Sequence, residues 1–240
     1  MSINIAELDY QHTSIGELIL RRRRFPATGQ TDVFEVILND EFLMSSLFTA
    51  GEIALAELGL SCCDSAKLDV MVGGLGLGYT AAAVLADRRV QSMTIIEVLP
   101  YVISWHKQGL LPVSEILNDD PRCSYEAGDF FALVANKFSS LKSTKSANRY
   151  HVILLDIDHS PGNLLQADNQ TLYTASGLTR LRDCLHDSGV FALWSNEPPQ
   201  ESFSSLLSEI FATTTNHVIP VPNPLTGIAG HNTIYLARCR

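Results

Sequence analysis

The sequence has no long apolar run and no cysteine pattern of a disulfide-bonded or zinc-binding protein. No apolar stretch approaches the roughly 20 residues that a helix needs to cross a bilayer, so we expect no membrane contact. The opening residues, MSINIAELDYQHT, carry acids and no apolar core, which predicts a cytoplasmic protein without a signal peptide. The five cysteines are odd in number and scattered, and no CxxC pair or histidine spacing predicts a metal site.

Positive charge is also scarce. The chain has 17 Lys and Arg against 26 Asp and Glu, a formal net charge of −9, which disfavours nucleic acid as a partner. The exception is RRRR, Arg21 to Arg24, which follows the strand-like GELIL. Successive strand residues face opposite ways, so these arginines cannot form one flat patch. We interpret them as a solvated strand end, with contact to an acidic ligand or a partner subunit as the alternative.

The amino-terminal part predicts β structure up to about residue 46. Asn-Asp between VFEVIL and EFLM is a turn pair, so Val33 to Met44 predicts a hairpin. TAGEIALAELGL then predicts a helix, with Thr49 as its N-cap and Glu52 three residues later, as in a capping box. The polar stretch SSLKSTKSANR predicts a surface loop further along the chain.

From Leu68 the pattern alternates between strands and helices. The predicted strands are LDVMVGG, SMTIIEV, CSYEAGD, YHVILLDID and GVFALWS, with helical segments such as YTAAAVLAD, PYVISWHKQGLL, FFALVANKF and TASGLTRLRDCL between them. After a last helix in ESFSSLLSEIFATT, the segments HVIPVP and NTIYLARC predict an antiparallel edge. We therefore expect an α/β fold, a Rossmann-like, seven-stranded, mostly parallel sheet preceded by a small β-hairpin region. The expected domains are 1–48, the β region, and 49–240, a nucleotide-binding catalytic domain.

A glycine-rich turn follows the first of these strands. Its glycines are Gly73, Gly74, Gly76 and Gly78. The spacing is GxGxG and not the GxGxxG of dinucleotide-binding folds, which place a pyrophosphate on the helix N-terminus. The shorter spacing is typical of folds that hold S-adenosyl compounds. A tight strand-to-helix turn without a ligand is the alternative.

Two further strand ends carry groups suited to a nucleoside. Glu97 ends the next strand, about 20 residues beyond the turn, and a carboxylate there can accept hydrogen bonds from both ribose hydroxyls. Gly128, Asp129 and Phe130 end the strand after it: the acid can accept from an adenine amino group, and the aromatic ring can cover the base. The alternative role of Asp129 is to cap the following helix. These groups converge at the sheet edge where open α/β sheets bind ligands.

The fourth strand ends in LLDIDHSPG, with Asp156, Asp158 and His159 at its carboxyl end. Alternation predicts that the two aspartates lie on the same side of the strand. Two acids and a histidine there could bind an amine, orient it and accept its proton, so we predict that these three residues are catalytic. In the alternative, Asp158 and His159 shape the turn and only Asp156 reaches the ligand.

Through these motifs the chain resembles the spermidine synthase family of polyamine aminopropyltransferases, which share the class I methyltransferase fold. The resemblance covers nearly the whole chain. It implies aminopropyl transfer from decarboxylated S-adenosylmethionine to putrescine or a related amine. It also implies Glu97 on the ribose, Asp129 at the adenine and Asp156 beside the attacking amine. As partners we expect a small-molecule amine and a second copy of the chain in a homodimer, and we expect no metal cofactor.

The chain departs from the family pattern at three places. Gly76 stands where the family's GGGDGG turn has the aspartate that attracts the decarboxylated donor and repels intact S-adenosylmethionine. In the acidic loop, usually D-S/T-S/T-D-P, the fourth place is His159 and the acid has moved to Asp158. The family's Y-H-E falls on Leu55-Ala56-Glu57, so a tyrosine and a histidine are missing.

Two other functions therefore stay open. A small-molecule methyltransferase would use the same site with intact S-adenosylmethionine, although the amino-methylating N/DPPY motif is absent and SNEPP is interpreted as a strand-to-loop transition. A non-catalytic homologue that binds a nucleoside is the other alternative. Trp194, which ends the fifth strand, is interpreted as a core residue, with a place in the acceptor pocket as the alternative.

Overall fold

The computed structural model describes residues 4–25, 29, 31–138 and 149–240. The polar loop predicted around residues 139–148 lies outside the described residues. Within them, four amino-terminal strands form an antiparallel sheet in the order β1-β2-β3-β4. Their bounds are β1 Asn4–Thr13, β2 Gly16–Arg24, β3 Asp32–Leu38 and β4 Glu41–Ser45.

The hairpin that joins β3 to β4 forms as predicted. Asn39 and Asp40 have φ values of 51° and 63°, the left-handed conformation that a two-residue hairpin turn requires and that Asn and Asp tolerate. The side chain of Asn39 also ties this turn to the β1–β2 turn, because its Oδ1 accepts the N–H of Glu17 at 2.9 Å.

The four arginines of β2 alternate between two acidic partners. On one face of the strand, Nε of Arg21 and Nη1 of Arg23 lie 2.5 and 3.4 Å from Oε2 of the buried Glu35. On the other face, Arg22 and Arg24 pair with Asp32. The arginines thus form no single patch, as predicted. The interpretation of this segment as a solvated strand end is incomplete, because the alternating register places all four arginines against acids of β3.

The second sheet has seven strands within the described residues, in the order β10-β11-β9-β8-β5-β6-β7. The strands from β5 to β9 pair in parallel, whereas β11 pairs antiparallel with both β9 and β10. This confirms the predicted Rossmann-like sheet with its antiparallel edge. The bounds are β5 Leu68–Gly73, β6 Val90–Glu97, β7 Cys123–Ala127, β8 Tyr150–Leu155, β9 Leu185–Ser195, β10 Thr213–Val221 and β11 Gly230–Arg238.

Helices cover both faces of this sheet. They are α1 Ala50–Ser61, α2 Tyr79–Ala86, α3 Pro100–Lys107, α4 Ser114–Asp119, α5 Phe130–Ala135, α6 Ala175–Asp183 and α7 Glu201–Ile210. Alternation along β5 separates two cores: Val70 and Val72 pack with α1 to α4, whereas Met71 packs with α5 to α7. No helix among the described residues is long and apolar enough to cross a membrane.

The helix boundaries differ from the predictions at three points. Helix α3 ends at Lys107, because Gly109 adopts a φ of 72°, and the separate helix α4 was not predicted. Helix α7 ends at Ile210, and the threonines assigned to it begin β10. Thr49 stands at the N-cap of α1 but makes no side-chain capping bond, so the predicted capping box is absent. The predicted domain boundary at 48/49 falls between β4 and α1 and stays a prediction.

We expect Glu35→Ala to lower the free energy of unfolding by about 1–3 kcal/mol, because two arginines would lose a buried carboxylate. Urea unfolding measures this change. Asp32→Ala is the matched control on the same strand, and we expect less than about 1 kcal/mol there because its pairs are more exposed. Equal losses of unfolding free energy in the two variants would contradict the argument that burial makes the Glu35 pairs more stabilising.

Candidate active site: an acidic pocket at the strand ends

A cavity of about 430 Å³ opens at the carboxyl ends of β5, β6, β7 and β8, with the β3–β4 hairpin and α1 on its other side. Most of the predicted site residues line it, namely Gly74, Gly76, Gly78, Glu97, Gly128, Asp129, Phe130, Asp156 and His159. Gly73 and Asp158 are not in its wall. Trp194 both packs against the core and lines the cavity, while its place in an acceptor pocket stays a prediction.

The glycine turn has a conformation that other residues adopt with strain. Gly74, Gly76 and Gly78 have φ values of 94°, 49° and 87°. A side chain on Gly74 would also place its Cβ 2.1 Å from the backbone oxygen of Asp156. Gly73 acts differently, since a Cβ there would meet the ring of Phe130 at 2.6 Å. Gly73 therefore allows close packing behind the cavity.

The carboxylate of Glu97 binds backbone on both sides of the cavity floor. Its Oε2 accepts the N–H of Leu75 at 3.0 Å, and its Oε1 accepts the N–H of Leu99 at 2.9 Å. The side chain is only 8% exposed, and burial raises its pKa while these backbone donors lower it. Each oxygen keeps a second lone pair, so Glu97 can hold the glycine turn and still accept from a ligand.

Asp129 performs the capping role that the sequence left open. Its Oδ1 accepts the N–H groups of Phe131 at 2.8 Å and Ala132 at 3.3 Å, at the start of α5. Both bonds use the same oxygen, so Oδ2 remains for a ligand. Phe130 is 1% exposed and packs against Gly73 and Phe131, which places its ring at the base of the cavity and leaves it little free surface.

Asp156 lies in the wall of the cavity directly after β8. The hydroxyl of Thr80, on α2, donates to its Oδ2 at 2.7 Å, and its own N–H donates to the carbonyl of Gly73 at 2.8 Å. Burial raises the pKa of Asp156 to about 6, and the Thr80 hydrogen bond opposes this rise. A carboxyl group with a pKa in this range can accept a proton near neutral pH.

Glu52 is a site residue that the sequence reasoning missed. It lines the cavity from α1, and its Oε2 is buried with no hydrogen-bond partner among the residues that the structure describes. Burial raises the pKa of Glu52 to about 8, and the nearby carboxylate of Asp156 adds to the rise. Two acids this close do not both ionise readily, so the pair holds one proton near neutral pH. The capping-box interpretation had supplied a sufficient local reason for this glutamate.

Asp158 faces away from the cavity. Its Oδ1 accepts the N–H of Leu165 at 2.8 Å and the amide of Asn169 at 2.7 Å, and its Oδ2 accepts the hydroxyl of Tyr173 at 2.8 Å. The prediction that Asp156 and Asp158 share one side is wrong, because β8 ends at Leu155 and strand alternation does not reach residue 158. Asp158 instead holds a loop that contributes Leu165 and Asn169 to the cavity wall.

His159 does line the cavity, and its carbonyl accepts the N–H of Asn196 at 2.7 Å. The three residues matched to the family's Y-H-E do not reach it. Leu55 and Ala56 are fully buried in the core, and Glu57 is exposed on the outside of α1. That match is therefore wrong in its register, and Glu52 is the acid that α1 contributes.

The cavity is acidic. Four carboxyl groups line it, those of Glu52, Glu97, Asp129 and Asp156, whereas the described part of its wall contains no Lys or Arg. Such a wall suits a cationic ligand and disfavours phosphate. Across the described ranges, no cluster of three or more His, Cys, Asp or Glu side chains could hold a metal ion.

Comparison with known proteins yields one curated relative and several solved structures of similar fold. No family model matches the sequence. The relative is a polyamine aminopropyltransferase of Bacillus mycoides (strain KBAB4), 26% identical over 165 residues, which cover 67% of this chain and 54% of that protein. The chain thus aligns with about half the length of its curated relative.

The solved structures agree on the fold. Spermidine synthase from Thermotoga maritima matches with a TM-score of 0.72 and 19% identity, covering 97% of this chain and 72% of that one. A spermidine synthase in complex with the transition state analogue AdoDATO matches with a TM-score of 0.73 and 19% identity, covering 97% and 73%. Human methyltransferase-like protein 13 in complex with SAH matches more weakly, with a TM-score of 0.52, 18% identity and 79% of each chain.

The sequence relative and the solved structures support the same resemblance as the motifs. The resemblance is confirmed: the chain is similar to the spermidine synthase-like family and has its methyltransferase-like fold.

Proposed function

We propose that the protein transfers an aminopropyl group from an S-adenosyl donor to an amine. The observation that carries this proposal is the pair of Glu52 and Asp156, two half-buried carboxyl groups that hold one proton in a cavity whose described wall contains no Lys or Arg. A cationic amine would supply the positive charge that this part of the wall lacks. The same pair can then take up the proton that the amine must lose before it can attack.

The transfer balances without a further reactant. The ammonium gives a proton to the carboxylate of Asp156, and the lone pair of the amine nitrogen attacks the methylene carbon next to the sulfonium. The carbon–sulfur bond breaks, and its electrons remain on sulfur as the neutral thioether 5′-methylthioadenosine. The new secondary amine keeps its remaining proton as an ammonium, and the proton taken up by Asp156 leaves to solvent, which restores the carboxylate. The protein contributes position, charge and a proton acceptor.

The donor would lie across the glycine turn, with its ribose at Glu97 and its adenine at Asp129. Three positive-φ glycines keep the backbone close and free of side chains there, and the wall carries no Lys or Arg among its described residues for a phosphate. Two of the similar structures are complexes with AdoDATO and SAH, both S-adenosyl compounds. These points support an S-adenosyl donor for this chain as well.

Methyl transfer from intact S-adenosylmethionine is a second candidate, and the contact between Gly76 and Met44 favours it. Where the resembling family has an aspartate side chain, a Cβ on Gly76 would lie 2.6 Å from Sδ of Met44. The neutral thioether of Met44 therefore occupies the space that the family's aspartate side chain would take. An aspartate there would repel the carboxylate of intact S-adenosylmethionine. The choice between the two reactions depends on which donor binds.

We expect Asp156→Asn to lower kcat by about a hundredfold or more, because the amide keeps the shape but cannot accept the proton. The measurement is release of 5′-methylthioadenosine from decarboxylated S-adenosylmethionine with a mixture of amines. Glu57→Gln, an exposed change on α1, is the control and should keep the wild-type rate. Wild-type turnover by Asp156→Asn would refute the assignment of this residue.

The acid pair should also make stability depend on pH. The folded protein keeps a proton on Glu52 or Asp156 at pH values where the unfolded chain has released it, so the unfolding free energy should fall as pH rises. The contribution of the pair to this slope is about 1.4 kcal/mol per pH unit between about pH 6 and about pH 8, and up to about twice that between about pH 5 and about pH 6, where both acids keep a proton in the folded protein. Urea unfolding should show a flatter dependence for Glu52→Gln than for wild type and for Glu57→Gln. Parallel curves for all three proteins would mean that Glu52 ionises freely.

Donor choice can be tested at the glycine turn. We expect wild type to bind intact and decarboxylated S-adenosylmethionine within about tenfold of each other, or about 1.4 kcal/mol. In the double variant Met44→Ala/Gly76→Asp the intact donor should bind more weakly by about tenfold relative to the decarboxylated one. Removal of the Met44 thioether makes room for the new aspartate side chain. Aspartate also tolerates the φ of 49° at position 76 better than most residues.

Met44→Ala alone is the control for this double variant, and it should leave the ratio of the two affinities unchanged. Isothermal calorimetry measures both donors. A wild-type preference of a hundredfold or more for the decarboxylated donor would show that another acid excludes the intact one.

A further inference from the structure

We propose that the amine acceptor is a monoamine with an apolar body, rather than a diamine whose two ammonium groups are both held by the protein. This inference rests on the proposed function, since it assigns the substrate class of the same cavity. It follows from how charge is distributed over the cavity wall.

Among the described residues of the wall, one pair of carboxyl groups remains to hold the acceptor cation. Of the four acids in the wall, Glu97 and Asp129 end β6 and β7, and both accept hydrogen bonds from backbone in the half of the cavity that we assign to the nucleoside. Glu52 and Asp156 form the remaining pair. The Thr80 hydroxyl joins their segments, 3.3 Å from the Glu52 carbonyl and 2.7 Å from Asp156 Oδ2, so the two carboxyl groups form one site that fits one ammonium. Burial and the charge of Asp156 raise the pKa of Glu52, so the site presents about one negative charge.

Two carboxyl groups outside the described cavity wall, Glu35 and Glu197, have partners of their own. Glu35 is paired with arginines of β2. Glu197 accepts hydrogen bonds from Ser160 and Gln200, each at 2.8 Å, and is not part of the wall. Neither carboxylate is placed to hold a second ammonium inside the cavity.

The wall beside the acid pair is apolar. The β3–β4 hairpin and the link to α1 line it with Val36, Leu38, Phe42, Met44 and Phe48. An ammonium against this surface would lose water without gaining a partner. A methylene chain or an aromatic ring would gain from burial there.

Trp194, Asn196 and Asn232 form a polar end of the cavity wall that carries no charged side chain. Nε1 of Trp194 is a donor, buried and without a hydrogen-bond partner among the described residues. Asn232 turns its Oδ1 toward the same point, close to Gly51, and its amide donates to Asn196 at 3.2 Å. This end of the wall therefore supplies amide and indole groups but no further carboxylate for a second ammonium.

The first test compares amines that carry one positive charge with an amine that carries two. Calorimetry measures the binding of hexylamine, 2-phenylethylamine and 1,4-diaminobutane to the protein loaded with 5′-methylthioadenosine. The same amines are then offered with decarboxylated S-adenosylmethionine, and product masses are recorded. We expect either monoamine to bind at least about tenfold more tightly than the diamine, and to have the higher kcat/KM.

The outcomes separate the two proposals. Tighter binding of 1,4-diaminobutane, or binding of none of the three amines, overturns the monoamine inference. If the diamine binds more tightly and is the better substrate, the inference fails while aminopropyl transfer stands. If a monoamine binds more tightly but no transfer occurs to any amine, the binding preference stands while the proposed reaction fails.

A second test places a charge in the apolar wall. Phe42 is 47% exposed, so a polar residue is tolerated there without a large loss of folding. Phe42→Asp should shift the ratio of diamine to monoamine affinity toward the diamine by at least about threefold, because it supplies a second carboxylate. Phe42→Asn is the matched uncharged control and should leave the ratio unchanged. Equal ratios in Phe42→Asp and Phe42→Asn would remove this wall from the acceptor site.

Discussion

The geometry of the cavity depends on the carboxylate of Glu97. Its two oxygens bind the N–H of Leu75 in the glycine turn and the N–H of Leu99 before α3, so a single side chain at the end of β6 joins two loops. Such an anchor matters in this turn because glycines lose much conformational freedom on folding. A group that holds the turn in place can also bind a ligand without rearrangement, which lowers the entropy loss of binding.

Whereas Glu97 stabilises the cavity, the acid pair of Glu52 and Asp156 destabilises it electrostatically. Glu52 and Asp156 come from α1 and from the end of β8, and Thr80 lies between these elements, 2.7 Å from Asp156 Oδ2 and 3.3 Å from the Glu52 carbonyl. Folding thus brings together two carboxyl groups with a single hydroxyl donor between their segments. Functional sites often retain such unfavourable electrostatics, and a cationic ligand that relieves them stabilises the folded state.

The architecture was predictable because it depends on local patterns. Strands and helices alternate, glycines mark the turn, and the Asn-Asp pair marks a hairpin. The site was less predictable, since Glu52 in the first turn of a helix already had a satisfactory local explanation. Asp158 required the exact end of β8, which alternation cannot supply. The approach of Met44 to Gly76 joins the two sheets across the cavity, and no spacing in one sequence encodes that contact.

The hairpin of β3 and β4 covers the cavity but belongs to a different sheet from the strands whose ends form its floor. The apolar surface that would contact the body of the acceptor is therefore contributed by a short, contiguous segment, Val33 to Phe48, and the groups that we assign to the donor come from elsewhere in the chain. Substitutions in that segment leave the backbone of the glycine turn and its Glu97 anchor in place. During evolution, or in a laboratory exchange of hairpins, substrate range can consequently diversify while the reaction is conserved.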